Sequence, residues 1–170
     1  QYKPPLILDR DLASGKTLLT HLAEITAKLE QDRYVQGLEI PCVNGRGGIP
    51  QDILSGIIIE LDSYDLNIQG DRGVCPAAHF AWFMCRKYPA ETARILSGLL
   101  EPDAGPDYVD RRSHVLLRSG HMLTRAPGSL SNDSSRRSTS ERLIQSALMD
   151  LANGFRADYL NPVDSHFDQV

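Results

Sequence analysis

Apolar residues recur at three- and four-residue steps in several stretches of the chain. Leu18, Leu22, Ile25 and Leu29 share one face, which predicts an amphipathic helix over 15–31. Pro50 followed by Ile53, Leu54, Ile57, Ile58 and Leu61 predicts a second helix, although the run Ile57-Ile58-Ile59 equally suits a strand. Pro76 fits the first turn of a third helix, where its missing N–H costs nothing. Ala77, Ala78, Ala81, Trp82 and Cys85 form the broad apolar face of that helix. Pro89 opens a fourth helix that runs to Leu100.

The last helix carries its own start signal. Ser138-Thr139-Ser140-Glu141 matches the capping box, in which Ser138 caps the first turn and Glu141 reaches back. Leu143, Ile144, Ala147, Leu148 and Leu151 give it a buried face, and Asn153-Gly154 ends it. Between the helices, residues 37–43 read as a short strand. Residues 114–118 and 121–125 read as two strands around Ser119-Gly120. Residues 4–11 are an apolar stretch and a turn. Residues 44–50, 101–110 and 126–137 are loops rich in Gly, Pro, Ser or Asp. The tail from residue 155 onward has no periodicity, and no internal repeat is present.

Composition narrows the function classes. At 170 residues and 41% apolar content, the chain suits a single domain over 1–170 with a real core. It starts at Gln1, so the expectation is an expressed segment, a processed product or a piece of something longer. A net charge of −4 argues against a nucleic-acid binder, whose footprint is usually a basic face. No apolar run approaches the length of a membrane span, and no signal-peptide pattern opens the chain. Cys42, Cys75 and Cys85 are odd in number and match no zinc-ligand spacing. Cys42 and Cys85 read as small buried hydrophobes. No metal or organic cofactor is implied.

Cys75 differs from the other two. It sits where the Pro76 helix should begin, and the free N–H groups and macrodipole of a helix N-terminus favour a thiolate. Gly70 and Gly73 let the backbone approach a bound substrate closely. Six residues before the thiol, the Gln69 side-chain amide can donate a hydrogen bond to an oxyanion, with the Cys75 N–H as a second donor. The segment Gln69-Gly70-Asp71-Arg72-Gly73-Val74-Cys75 resembles the Q-G-x-x-G-x-C-W motif of papain-like cysteine peptidases. Gln69, Gly70, Gly73 and Cys75 keep its spacing, while Pro76 stands where the family has an aromatic residue. The helices from Cys75 onward are also similar to papain-like domains of secreted bacterial effectors and toxins.

The resemblance implies a helix-dominated α+β fold, mainly the helical half of the papain-like architecture with a small β part. It implies hydrolysis of a peptide or amide bond in a peptide or protein substrate, and secretion from a bacterium. It also implies a His downstream of the Cys as base. Ser113-His114-Val115-Leu116-Leu117-Arg118-Ser119-Gly120 looks like the family's His-bearing strand, so His114 is the candidate base. His166, near Asn161 and Asp164, is a second candidate, and a base beyond Val170 or on another chain is a third. A partner chain or further segment would then complete the β half. His79 follows Cys75 by one helical turn and is a neighbour rather than the expected base.

Two other readings compete. One is a catalytically silent papain-like scaffold that binds a partner protein. The other is nucleotide binding, because Ala13-Ser14-Gly15-Lys16-Thr17 before a helix has the layout of a phosphate loop. Arg10, however, occupies the position of that motif's first glycine, which the backbone needs to curl around a phosphate.

Overall fold

The computed structural model describes residues 6–31, 50–63, 75–100 and 137–152. A 3₁₀ turn at Leu6–Leu8 leads into α1 (Leu18–Leu29), followed by α2 (Pro50–Asp62), α3 (Cys75–Lys87), α4 (Pro89–Leu99) and α5 (Thr139–Ala152). The five helices pack as neighbours, α1 on α4 and α2, α3 on α4, and α5 on α2, α3 and α4.

Most of the apolar positions read from the sequence are buried, with Ile58 exposed and Trp82 partly buried. Leu18, Ile25 and Leu29 of α1, Ile57 and Leu61 of α2, and Ala77, Ala81, Met84 and Cys85 of α3 join one core. Ala93, Leu96 and Leu99 of α4 join it, as do Leu143, Ile144, Ala147 and Leu148 of α5. Each fully buried Leu or Ile contributes roughly 1.5–3 kcal/mol relative to an exposed one.

The expected α+β papain-like architecture is overturned. Among the described residues the structure is helical and has no sheet. An isolated antiparallel bridge between Arg10 and Thr17 is the nearest approach to one. The physical reason is visible in the packing, because each helix buries its apolar stripe against another helix and needs no strand layer for that. A seven-residue motif constrains one turn and one helix start, not the elements that pack around them. The triple isoleucine Ile57-Ile58-Ile59 is helical, with Ile57 buried and Ile58 and Ile59 exposed. The expected strands at 37–43, 114–118 and 121–125 lie outside the described residues.

Helix ends follow local chemistry. Thr17 caps α1 with extended backbone, its side chain accepting the Thr20 N–H at 3.3 Å. The capping box forms as the sequence predicts. Ser138 Oγ accepts the Glu141 N–H at 3.0 Å, and Glu141 Oε2 accepts the Ser138 N–H at 2.7 Å. Tyr88, before α4, gives no side-chain cap. Asp9 replaces it from a distant part of the chain, its Oδ2 accepting the Ala90 N–H at 3.1 Å. Glu91 accepts the Leu12 N–H at 3.0 Å and holds Arg94 through two hydrogen bonds of 3.0 and 2.7 Å. Lys28, in the last turn of α1, donates to the Ser97 carbonyl at 2.7 Å. These contacts fasten the N-terminal segment and α1 onto α4.

Candidate functional site

Helix α3 begins at Cys75. Its first-turn N–H groups have no acceptor within the helix, and Pro76 in that turn has no N–H to leave unpaired. Gln69, His114 and His166 lie outside the described residues, as do His121 and Cys42. No distance from Cys75 to an oxyanion donor or a base therefore follows from the described residues. One turn on, His79 is exposed and stacks on Trp82 with ring centroids 5.5 Å apart. The Arg86 guanidinium lies 5.3 Å from the Trp82 ring centre, a cation–π distance. By helical spacing, positions 75, 79, 82 and 86 fall on one side of α3.

Cys85 behaves as the sequence predicts for a structural thiol. It is 3% exposed and belongs to the core. Burial, with the Glu60 and Glu141 carboxylates adding to it, pushes its pKa up to about 12. A thiol held so far above neutrality is a poor nucleophile.

The phosphate-loop alternative meets an occupant. Asp11 turns its carboxylate into the loop formed by residues 11–16. It accepts the N–H groups of Ala13 at 2.8 Å, Ser14 at 2.5 Å, Gly15 at 3.2 Å and Lys16 at 2.8 Å. Ser14 Oγ and His21 Nε2 approach the same carboxylate at 2.7 and 2.8 Å. Gly15 makes the loop possible with a positive φ of 74°. Backbone N–H groups arranged this way form an anion nest, and here the chain's own carboxylate fills it. Lys16 points to Glu24 instead, at 2.6 Å, and Glu24 also meets His21 Nδ1 at 3.1 Å.

Burial raises the Asp11 pKa. Hydrogen bonds from the Ser14 side chain, His21, and the Ser14 and Ala13 N–H groups outweigh that and hold the carboxyl well below its ordinary range. His21 of α1 is 2% exposed and lies between the Asp11 and Glu24 carboxylates.

A second polar cluster also escaped the sequence reading. Glu60 of α2 is 6% exposed and accepts hydrogen bonds at Oε1 from the Ser138 hydroxyl and, at 2.5 Å, from the Ser140 hydroxyl. Burial raises its pKa to about 7, with Glu141 adding to the rise and the two hydroxyls opposing it. A signal was present. Glu60 stands three residues after Ile57 and beside Leu61, so it occupies the apolar face of its helix. The partner serines could not be read the same way, because they lie 78 and 80 residues away.

Among the described residues no group of His, Cys, Asp and Glu could hold a metal ion, and no helix is long and apolar enough to cross a membrane. No protein-family model, characterised protein or solved structure matches the chain.

Proposed function

We propose that the chain hydrolyses a peptide or amide bond with Cys75 as its nucleophile, on a helical scaffold that differs from the papain-like one. The observation that supports this reading is the start of α3 at Cys75, directly after Gln69, Gly70 and Gly73. A helix N-terminus lowers a thiol pKa by placing N–H groups and the positive end of the macrodipole beside the sulfur.

In the proposed reaction a His takes the thiol proton and the thiolate adds to the carbonyl carbon. Gln69 and the Cys75 N–H hold the oxyanion. The amine leaves with the His proton, and water then hydrolyses the thioester. His114 is the proposed base, with His166 or a residue of another chain as the alternatives.

Brief iodoacetamide treatment near neutral pH, followed by mass-spectrometric mapping, tests the nucleophile. Cys75 should label first, and faster labelling of Cys42 would remove the assignment. Against a peptide library, Cys75→Ala should abolish turnover. Gln69→Ala should lower it by about 10²–10³ while leaving the fold intact.

A second reading is a catalytically silent helical scaffold that binds a partner protein. It is favoured by the exposed aliphatic side chains of Leu6, Ile7 and Leu8 and of Ile58 and Ile59. Selective labelling of Cys75 together with turnover separates the first reading from the second.

A further inference from the structure

The Glu60 cluster joins parts of the chain far apart in sequence, and every part of it is buried or nearly so. Glu60 lies in the last turn of α2, Ile59-Glu60-Leu61-Asp62, and its carboxyl meets Ser138, just before α5, and Ser140, in the first turn of α5. Ser138 is already committed to the capping box, so its hydroxyl serves both the Glu141 N–H and Glu60. Ser140 approaches Ser138 at 3.0 Å and completes the group. The two helices come this close because residue 56 is glycine. A Cβ there would sit 3.0 Å from Ser140 Oγ and 3.6 Å from Ser138 Cβ.

We propose that Glu60 is a proton-operated latch between α2 and the first turn of α5, closed when its carboxyl is protonated and opened when it ionises. In the closed state Oε1 accepts both serine hydroxyls while Oε2 carries the proton. Loss of that proton leaves a carboxylate in a buried site beside the Glu141 carboxylate, which costs more than the two hydroxyl bonds and the Glu141 N–H return. Relief comes from parting the first turn of α5 from α2, so that water reaches the charge.

The surrounding charges fit this account. From α5 and its approach, Glu141 faces Glu60, while Arg137 donates to Gln145 at 3.1 Å and Arg142 is buried on the same helix. From α3 the facing titratable group is Cys85, whose thiol stays protonated across the neutral range. The ionisable groups of α1 engage elsewhere: His21 with Asp11, Glu24 with Lys16, and Lys28 with the Ser97 carbonyl.

The sign follows from the direction of the shift. A carboxyl whose folded pKa lies above its unfolded value stabilises the closed state fully at low pH and loses that contribution as pH rises. The window runs from the ordinary value of 4.5 to about 7.

The test is hydrogen exchange of the α5 first-turn amides in the full chain from pH 4.5 to 8, corrected for intrinsic rates. Protection should fall by up to about tenfold per pH unit in the window and then level off. Glu60→Gln keeps a neutral amide in place of the acid and should remove the slope. An equal slope in E60Q, or a flat wild-type profile, overturns the latch. Infrared spectroscopy of the wild type gives an independent readout if E60Q fails to fold. A protonated carboxylic-acid band should persist at pH 6 and disappear by pH 8, and its absence at pH 6 overturns the proposal.

Discussion

Asp11 and Glu60 are both carboxylates with little exposure, and their surroundings drive them in opposite directions. Asp11 lies in a loop that turns four backbone N–H groups, a hydroxyl and an imidazole toward it. Its charge is solvated by the protein, and its pKa is lowered. Glu60 lies between α2 and the first turn of α5, where the capping box already engages the Ser138 and Glu141 N–H groups. It finds two hydroxyls, one backbone N–H, that of Glu141, and the neighbouring Glu141 carboxylate, and its pKa is raised to about 7. Burial penalises the charge in both places. The number of donors that the local backbone can supply decides which effect wins.

The largest test of that contrast is Asp11→Ala. It removes the acceptor of four N–H groups and leaves His21 facing only Glu24, so the expected loss is about 3–5 kcal/mol in chemical denaturation. A loss under about 1 kcal/mol would mean that the loop finds equivalent partners in water, and the contrast would collapse.

Next in size is the pH profile of wild-type stability. Asp11 has a depressed pKa, so its contribution is present above the ordinary 3.8 and lost as pH falls below it. Glu60 has a raised one, so its contribution is lost between 4.5 and about 7, by on the order of 2–3 kcal/mol. Stability should therefore peak near pH 4–5, as an estimate from these two windows. Denaturation at a series of pH values would show whether the neutral-side decline exists and whether E60Q alone removes it.

Ser138→Ala should cost about 1 kcal/mol through loss of the cap. Because the hydroxyl favours the ionised form of Glu60, its removal should also move the end of the neutral-side decline to higher pH. Thermal melts at two pH values read both effects.

Gly56→Ala sets a helix-propensity gain of about 1 kcal/mol against displacement of the Ser140 hydroxyl 3.0 Å away. A net loss of about 1 kcal/mol is expected, since moving that hydroxyl also breaks its bond to Glu60. A net gain would show that the α2–α5 contact is looser than its distances imply.

The smallest effect belongs to Lys16→Ala. Its partner Glu24 is reached across an exposed surface, and such pairs contribute little. The denaturation midpoint should not move measurably. A loss of nucleotide affinity in this variant would revive the phosphate-loop reading that the position of Asp11 opposes.

The sequence by itself determined the helices. Periodicity marked most of the buried faces of α1, α2, α3 and α5. Proline marked the starts of α2 and α4, and Ser138 with Glu141 marked the cap of α5. These signals are local, since a helix spends its hydrogen bonds within itself and shows its buried face at a fixed spacing. The sequence also marked Cys75 as a helix-start thiol and Cys85 as a core one. It did not determine what packs on those helices, and so the short motif around Cys75 suggested a strand layer that the described helices do not have. Tertiary structure alone decided that Asp9 caps α4, that Asp11 fills the loop before α1, and that Glu60 meets Ser138 and Ser140. Each of these depends on which distant donors a fold brings to a buried carboxylate, and no spacing along the chain encodes that.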